Sequence, residues 1–175
     1  MIEKSFTLEM RMNGNTCCFI GHRTITETNE LRAKLYKSIE RLITDENVDT
    51  FLFGSKSRFD RLCLEIVTKI KEKHPHIKRI YVRAEFPDVT NEYISYLLKL
   101  YDDTYYPEKL AAAGKAAYVE RNREMIDKSK YCIVYYDEQN APTKRKSGTK
   151  VALDYALKMS RDILIYPVKP SDDRN

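Results

Sequence analysis

The chain has no tryptophan, and only 5 of its 175 residues are glycine, 6 proline and 4 cysteine. With so little glycine, neither Gly-x-x-x-x-Gly-Lys-Ser/Thr nor Gly-x-Gly-x-x-Gly occurs, which argues against a P-loop NTPase and an ordinary nicotinamide dehydrogenase. The four cysteines (Cys17, Cys18, Cys63 and Cys132) lack metal-ligand spacing and fall within apolar runs. They read as buried free thiols of a reducing compartment, not as a disulfide framework. No cluster of metal ligands is seen, and no cofactor is assigned. No apolar run approaches ~18 residues, so no membrane-spanning helix is expected. Met1–Gly14 carries mixed charge and no signal-peptide core, which leaves the cytoplasm as the expected location.

What is present fits one ordinary domain spanning residues 1–175: 42% of residues are hydrophobic and 33% charged. The thirteen tyrosines are unusual but specify no chemistry by themselves. The net charge of +5 comes with a pI near 8.9, below the footprint of a dedicated nucleic-acid-binding domain. The basic excess is local. Lys69, Lys71, Lys73, Lys78, Arg79 and Arg83 form one cluster, read as a solvated face. Lys144, Arg145, Lys146 and Lys150 form another beside a glycine-threonine turn, where a solvated loop and a ligand role are equally supported.

Apolar runs of strand length alternate with amphipathic segments. Strands are expected at Thr16–Ile20, Thr50–Phe53, Ile77–Val82, Tyr131–Tyr136 and Ile163–Tyr166, with a further short one at Asp103–Tyr106. Several are apolar throughout, as strands covered on both faces are. Leu31, Leu35, Ile39, Leu42 and Ile43 mark one helix, with capping-box spacing at Thr24–Glu27, and Phe59, Leu62, Cys63, Ile66, Val67 and Ile70 mark a cleaner second. Further helices are expected near Asn91–Tyr101, near Gly114–Asp127 and from Gly148 onward. The alternation predicts an α/β, doubly wound, mostly parallel sheet of about five strands with helices on both faces. Glu85–Ala117, interrupted by Pro87, Pro107 and Gly114, is the least legible stretch.

Three predicted strand ends carry turn residues together with polar groups, and in such a sheet they lie along one edge, where ligands bind. The first is Gly21-His22-Arg23: glycine admits close approach to the backbone, and arginine offers a fork that matches phosphate. The second is Gly54-Ser55-Lys56-Ser57-Arg58-Phe59-Asp60, and the third is Ser147-Gly148-Thr149 at the start of the last helix. Each has the unpaired N–H groups and hydroxyl donors that hold an oxyanion. Ordinary helix capping explains any one loop; three on one edge favour a binding site. Asp60 either complements its helix dipole or contacts a ribose. In Arg121–Asp127, spacing alone favours a solvated Arg123–Asp127 pair.

Thr16–Arg23, Arg121–Asp127, Ser147-Gly148-Thr149 and Asp154-Tyr155-Ala156 occur in an order that resembles the YpsA-like branch of the SLOG superfamily over residues 15–168. The resemblance implies a Rossmann-like fold that binds a nucleotide or nucleotide-derived phosphorylated ligand at its strand ends. It raises Arg123 to the candidate catalytic or phosphate-facing residue. Relatives include LOG-type phosphoribohydrolases, DprA-like DNA-binding proteins and ligand-sensing domains, so the alternatives are N-glycosidic hydrolysis or processing of a nucleotide-derived messenger, and single-strand nucleic-acid binding. A homodimer is the expected assembly, and no membrane partner is expected. Two departures stand out. Arg58 occupies the place of a family glycine, which implies an altered or partly filled pocket. Ala152 stands where LOG-type enzymes place a glutamate, which argues against their hydrolysis. The expected pocket comprises Gly21, His22, Arg23, Gly54, Ser55, Lys56, Asp60, Arg123, Ser147, Gly148 and Thr149.

Overall fold

A computed structural model describes residues 15–84, 90–110, 114–142 and 144–167. In chain order the elements are β1 (Thr16–Gly21), α1 (Asn29–Thr44), β2 (Thr50–Phe53), α2 (Arg58–Lys71), β3 (Lys78–Val82), α3 (Asn91–Leu100), β4 (Asp103–Tyr105), α4 (Lys115–Asp127), β5 (Tyr131–Tyr135), α5 (Gly148–Lys158) and β6 (Asp162–Tyr166). The strands form one sheet in the order β4-β3-β2-β1-β5-β6, with every pairing parallel. The sheet therefore has six strands, the five expected and the further short one at Asp103–Tyr105. The sixth, β4, is three residues long and half polar because it lies on an edge, where one side of the ladder meets water.

Side chains alternate across the sheet and so build two cores. Cys17, Phe19, Phe51, Phe53 and Tyr81 face α1 and α2, joined by Leu97 of α3. Cys18, Ile20, Leu52, Ile80, Cys132 and Val134 face Met125 and Ile126 of α4 and Ala152, Leu153 and Ala156 of α5. The thiols of Cys18 and Cys132, register partners in β1 and β5, are 3.4 Å apart, and all four cysteines are buried and unpaired. Among the described residues no helix is long and apolar enough to cross a membrane.

α1 begins later than the Thr24–Glu27 spacing suggests. Its cap is Thr28, whose Oγ1 accepts from the Leu31 N–H at 3.0 Å. Glu27 is instead drawn sideways onto Arg32 (2.5 Å) and Arg58. Chain order places β1 centrally. From it the chain moves outward through β2, β3 and β4, then crosses to β5 and β6 on the other side. The strand order thus reverses between β1 and β5, and the crevice of a doubly wound sheet opens at such a point.

Candidate functional site

At the end of β1, Gly21 serves packing before it serves any ligand. An added Cβ would lie 2.2 Å from Cδ1 of Phe59, so the missing side chain makes room for the first turn of α2. His22 follows. Its N–H donates to the Tyr135 carbonyl (3.3 Å), and its Nε2 accepts from the Asp137 N–H (3.0 Å). An accepting Nε2 places the proton on Nδ1 of a neutral ring, and burial lowers the His22 pKa below its ordinary value, in agreement. His22 therefore latches the β1 loop to the β5 loop across the crevice, with its ring 5.3 Å from that of Tyr136. Arg23 is exposed; its carbonyl accepts from the Arg58 N–H (2.9 Å), tying the first loop to the second.

The loop after β2 is organised from below by Asp60. This residue is 2% exposed, and its Oδ2 accepts from the N–H groups of Gly54 (3.2 Å) and Ser55 (2.9 Å). Oδ1 is buried with no hydrogen-bond partner among the described residues. Burial pushes the Asp60 pKa up to about 6; the two N–H donors and the charge of Arg121 oppose that shift without cancelling it. Asp60 thus holds the loop from the inside and does not present its carboxylate to an outer ribose. Ser57 caps α2 through the Asp60 N–H (3.1 Å), and Ser55 Oγ donates to Ser57 Oγ (2.9 Å). Lys56 is exposed with its Nζ 4.8 Å over the Tyr93 ring.

Arg58 does not fill the pocket. Its guanidinium joins Glu27 and Glu65, which also hold Arg32 (2.5 and 3.1 Å), so a four-residue charge network draws it onto the outer surface of α1 and α2.

On α4 the inward arginine is Arg121 and not Arg123. Arg123 is exposed with its guanidinium 5.3 Å over Tyr155 of α5, so it sits on the outer helix surface and does not join the strand-end residues. Arg121, 4% exposed, reaches the ends of β2 and β3: its Nη1 is 3.5 Å from the Val82 carbonyl. An added Cβ on Gly54 would fall 2.7 Å from Arg121 Nε and 2.5 Å from Met125 Sδ. The sequence held a signal for this: Met125, an apolar residue four positions on, places Arg121 on the buried stripe. Arg83 was also missed. The sequence groups it with a solvated cluster, yet it leaves β3 with its N–H on the Tyr105 carbonyl (2.8 Å), and its side chain is buried at 6% exposure. Its Nε has no partner among the described residues.

Ser147 caps α5 by accepting from the Lys150 N–H (3.1 Å). The helix bonding starts at Val151, whose N–H reaches the Ser147 carbonyl, so the N–H groups of Gly148 and Thr149 stand before the ladder begins. Gly148 is exposed, and nothing lies within 4 Å of where its Cβ would be. Lys146 and Lys150 are held by Asp154 (2.9 and 2.7 Å), which keeps that carboxylate below its usual range. Ala152 is a core position facing the sheet beside Ile20 and Val134, so no carboxylate enters the site there.

A shallow depression lined by Lys71, His76, Lys78, Asp102 and Asp103 lies at the opposite, amino end of β3. There Asp102 already neutralises Arg79 (3.0 Å) and Lys71 (3.5 Å). Among the described residues no group of His, Cys, Asp and Glu converges to hold a metal.

The sequence matches the YpsA family, described as the YspA SLOG family, over residues 22–169. It is 31% identical over 146 residues to the uncharacterized SPbeta prophage-derived protein YoqJ of Bacillus subtilis (strain 168), covering 74% of this chain and 81% of that one. Two solved structures are similar in fold. DNA processing protein A (DprA) from Streptococcus pneumoniae aligns with a TM-score of 0.59 and 19% identity over 90% of this chain and 52% of its own. DNA processing protein A from Helicobacter pylori aligns with a TM-score of 0.58 and 17% identity over 93% of this chain and 70% of its own. The chain spans about half the length of the Streptococcus protein, and at these identities the likeness is one of fold alone. The family match takes in the loops after β1, β2 and β5, the inward face of α4 and the start of α5, and by it this chain belongs to the YpsA branch of the SLOG family.

Proposed function

We propose that this protein binds a nucleotide or nucleotide-derived phosphorylated ligand along the carboxyl ends of β3, β2, β1 and β5. The observation that carries this reading is Arg83, a buried guanidinium at a strand end whose Nε has no partner among the described residues. A buried guanidinium N–H without an acceptor is unfavourable until one meets it, and a forked guanidinium suits phosphate. Three further donors support the reading: Arg121 beside Gly54, the exposed Arg23, and the N–H groups that open α5. From β3 to β5 the site crosses three inter-strand steps, ~14 Å, a span suited to a ligand with more than one charged group.

A thermal-shift series with nucleoside mono- and diphosphates, dinucleotides and cyclic dinucleotides tests it, since a ligand that binds only the folded chain raises the melting temperature. The expected result is a rise with at least one of these probes; no rise at near-millimolar concentration overturns the reading. With a probe that binds, Arg83→Lys and Arg121→Lys are expected to weaken affinity about tenfold or more, because the fork is lost while the charge stays. Arg123→Ala is expected to stay within about twofold of the parent. Equal losses in all three variants would return Arg123 to the site.

A second reading is single-stranded nucleic acid, favoured by the fold likeness to Helicobacter pylori DNA processing protein A, whose structure is described by its single-stranded DNA binding mode. It predicts affinity that grows with oligonucleotide length and falls steeply with salt, whereas the nucleotide reading predicts saturation by the mononucleotide with little gain from length. The hydrolytic alternative predicts release of free base from a nucleoside monophosphate. With Ala152 in the core, binding without turnover is expected.

A further inference from the structure

The loop Gly54–Lys56 is flanked by tyrosines from two helices. On α3, the rings of Tyr93 and Tyr96 stack at 6.5 Å between centroids and 19° between planes, and Lys56 reaches from the loop to 4.8 Å over Tyr93. On α4, Tyr118 lies 5.6 Å from the Arg121 guanidinium. Tyr96 is 52% exposed and Tyr118 49%, large rings left in water, the first beside Tyr93 and Lys56 and the second beside the buried Arg121. Aromatic rings that adjoin the cations at this loop, Tyr93 with Lys56 and Tyr118 with Arg121, present the two surfaces a nucleotide needs, a flat face for the base and donors for the phosphate.

We propose that Tyr96, backed by Tyr93, is the base-stacking platform of this site, so that the ligand is one carrying a nucleobase and not a sugar phosphate alone. The inference rests on the anion site proposed above and adds the class of ligand. The geometry supplies the continuity: Tyr96 is half exposed and near-parallel to the Tyr93 ring, so a third planar group added against it continues the pair. Lys56 stands between that stack and the loop held by Asp60, placing a cation where the sugar phosphate leaves the base. The pairing of exposed tyrosine with lysine and arginine also fits a polyanion with rings better than a second copy of this chain, whose matching surface would bring the same cations face to face.

The test is calorimetric titration of the full chain with AMP, UMP and ribose 5-phosphate, on the parent protein and on Tyr96→Ala, Tyr96→Leu and Tyr96→Phe. Tyr96 is exposed, so its replacement leaves the core intact, and unchanged melting temperatures check that. The expected result is a loss of about tenfold in affinity for AMP and UMP in the alanine and leucine variants, the scale of one base–aromatic stack. Tyr96→Phe should retain parental affinity, and ribose 5-phosphate should bind all four proteins alike. If AMP affinity is unchanged in Tyr96→Ala, or if ribose 5-phosphate weakens equally, the platform is overturned while the anion site stands. If ribose 5-phosphate binds the parent and AMP and UMP do not, or if none of the three binds, the platform is overturned, while the anion site stands or falls on the melting-temperature series above. Light scattering of the same variants adds one more outcome. A dimer that Tyr96→Ala converts to monomer, with nucleotide binding intact, makes α3 a self-association face and overturns the platform.

Discussion

Gly21→Ala is expected to destabilise the protein by about 2–3 kcal/mol, the scale of an overpacked core, and to lower its melting temperature by roughly 5–10 °C. The added methyl would sit 2.2 Å from Cδ1, 2.5 Å from Cγ and 2.6 Å from Cβ of Phe59. Phe59 is fully buried, with its ring 5.6 Å from that of Tyr135, so any retreat is into the core. Its neighbour Arg58 is fixed by the hydrogen bond to the Arg23 carbonyl (2.9 Å), and Asp60 follows one residue on. Displacing Phe59 therefore moves the start of α2 and the loop that Asp60 holds, so loss of ligand affinity should accompany loss of stability. Denaturant unfolding measures the effect, and the double variant Gly21→Ala/Phe59→Leu checks its cause. If the clash is the mechanism, the double variant is more stable than the sum of the two single changes predicts. A Gly21→Ala protein of parental stability would return Gly21 to a role in ligand approach.

The second large effect concerns pH. Asp60 has its pKa raised from 3.8 to about 6 by burial. The folded state therefore holds this proton more tightly than the unfolded chain does, and the stability gained from it is full below pH 4 and lost as pH rises through 6. Above pH 7 the ionised carboxylate leaves the fold about 3 kcal/mol less stable than its protonated form would. Asp60→Asn mimics the protonated form, since its carbonyl oxygen can still accept from the Gly54 and Ser55 N–H groups. The expected observation is a stability difference between parent and variant that changes by about 3 kcal/mol in the variant's favour from pH 4 to pH 7, then levels off. Taking the difference matters because Glu27, Asp102 and Asp154, held below their usual range by arginine and lysine partners, lose stability in the opposite direction as pH falls. A difference that stays flat across this window would mean that Asp60 ionises in the fold at its ordinary value, so that burial does not raise it and Arg121 faces a full carboxylate already at mildly acidic pH.

The sequence made the strands and helices legible where period and burial agree. β1, β2 and β5 are mostly apolar and buried along nearly their whole length because both faces are covered, and α2 shows an unbroken stripe. The residues of the site were less legible, for physical reasons. Arg121 and Arg123 differ by two positions on one helix, and only the sheet decides which side is inward. Arg83 looks like one more cation in a basic run until the strand carries it into the protein. Gly21 reads as a place for a ligand because a sequence shows that a side chain is missing, not what fills the gap; here it is a phenylalanine from the next helix. Parts of Glu85–Ala117, residues 85–89 and 111–113, lie outside the described residues, while 90–110 holds α3 and β4.

The four cysteines have a consequence for how this protein can be watched. Each lies in the interior, Cys17, Cys18 and Cys132 on the neighbouring strands β1 and β5 and Cys63 on α2, and all are fully buried. Burial also pushes the thiols of Cys17 and Cys63 well above their ordinary pKa, and the contact with Cys132 together with burial does the same for Cys18, which suppresses the reactive thiolate. A thiol reagent therefore has no native target, and labelling waits for the sheet itself to open. Its rate becomes a clock for the deepest opening of the fold, slowed by any compound that holds the strand ends together.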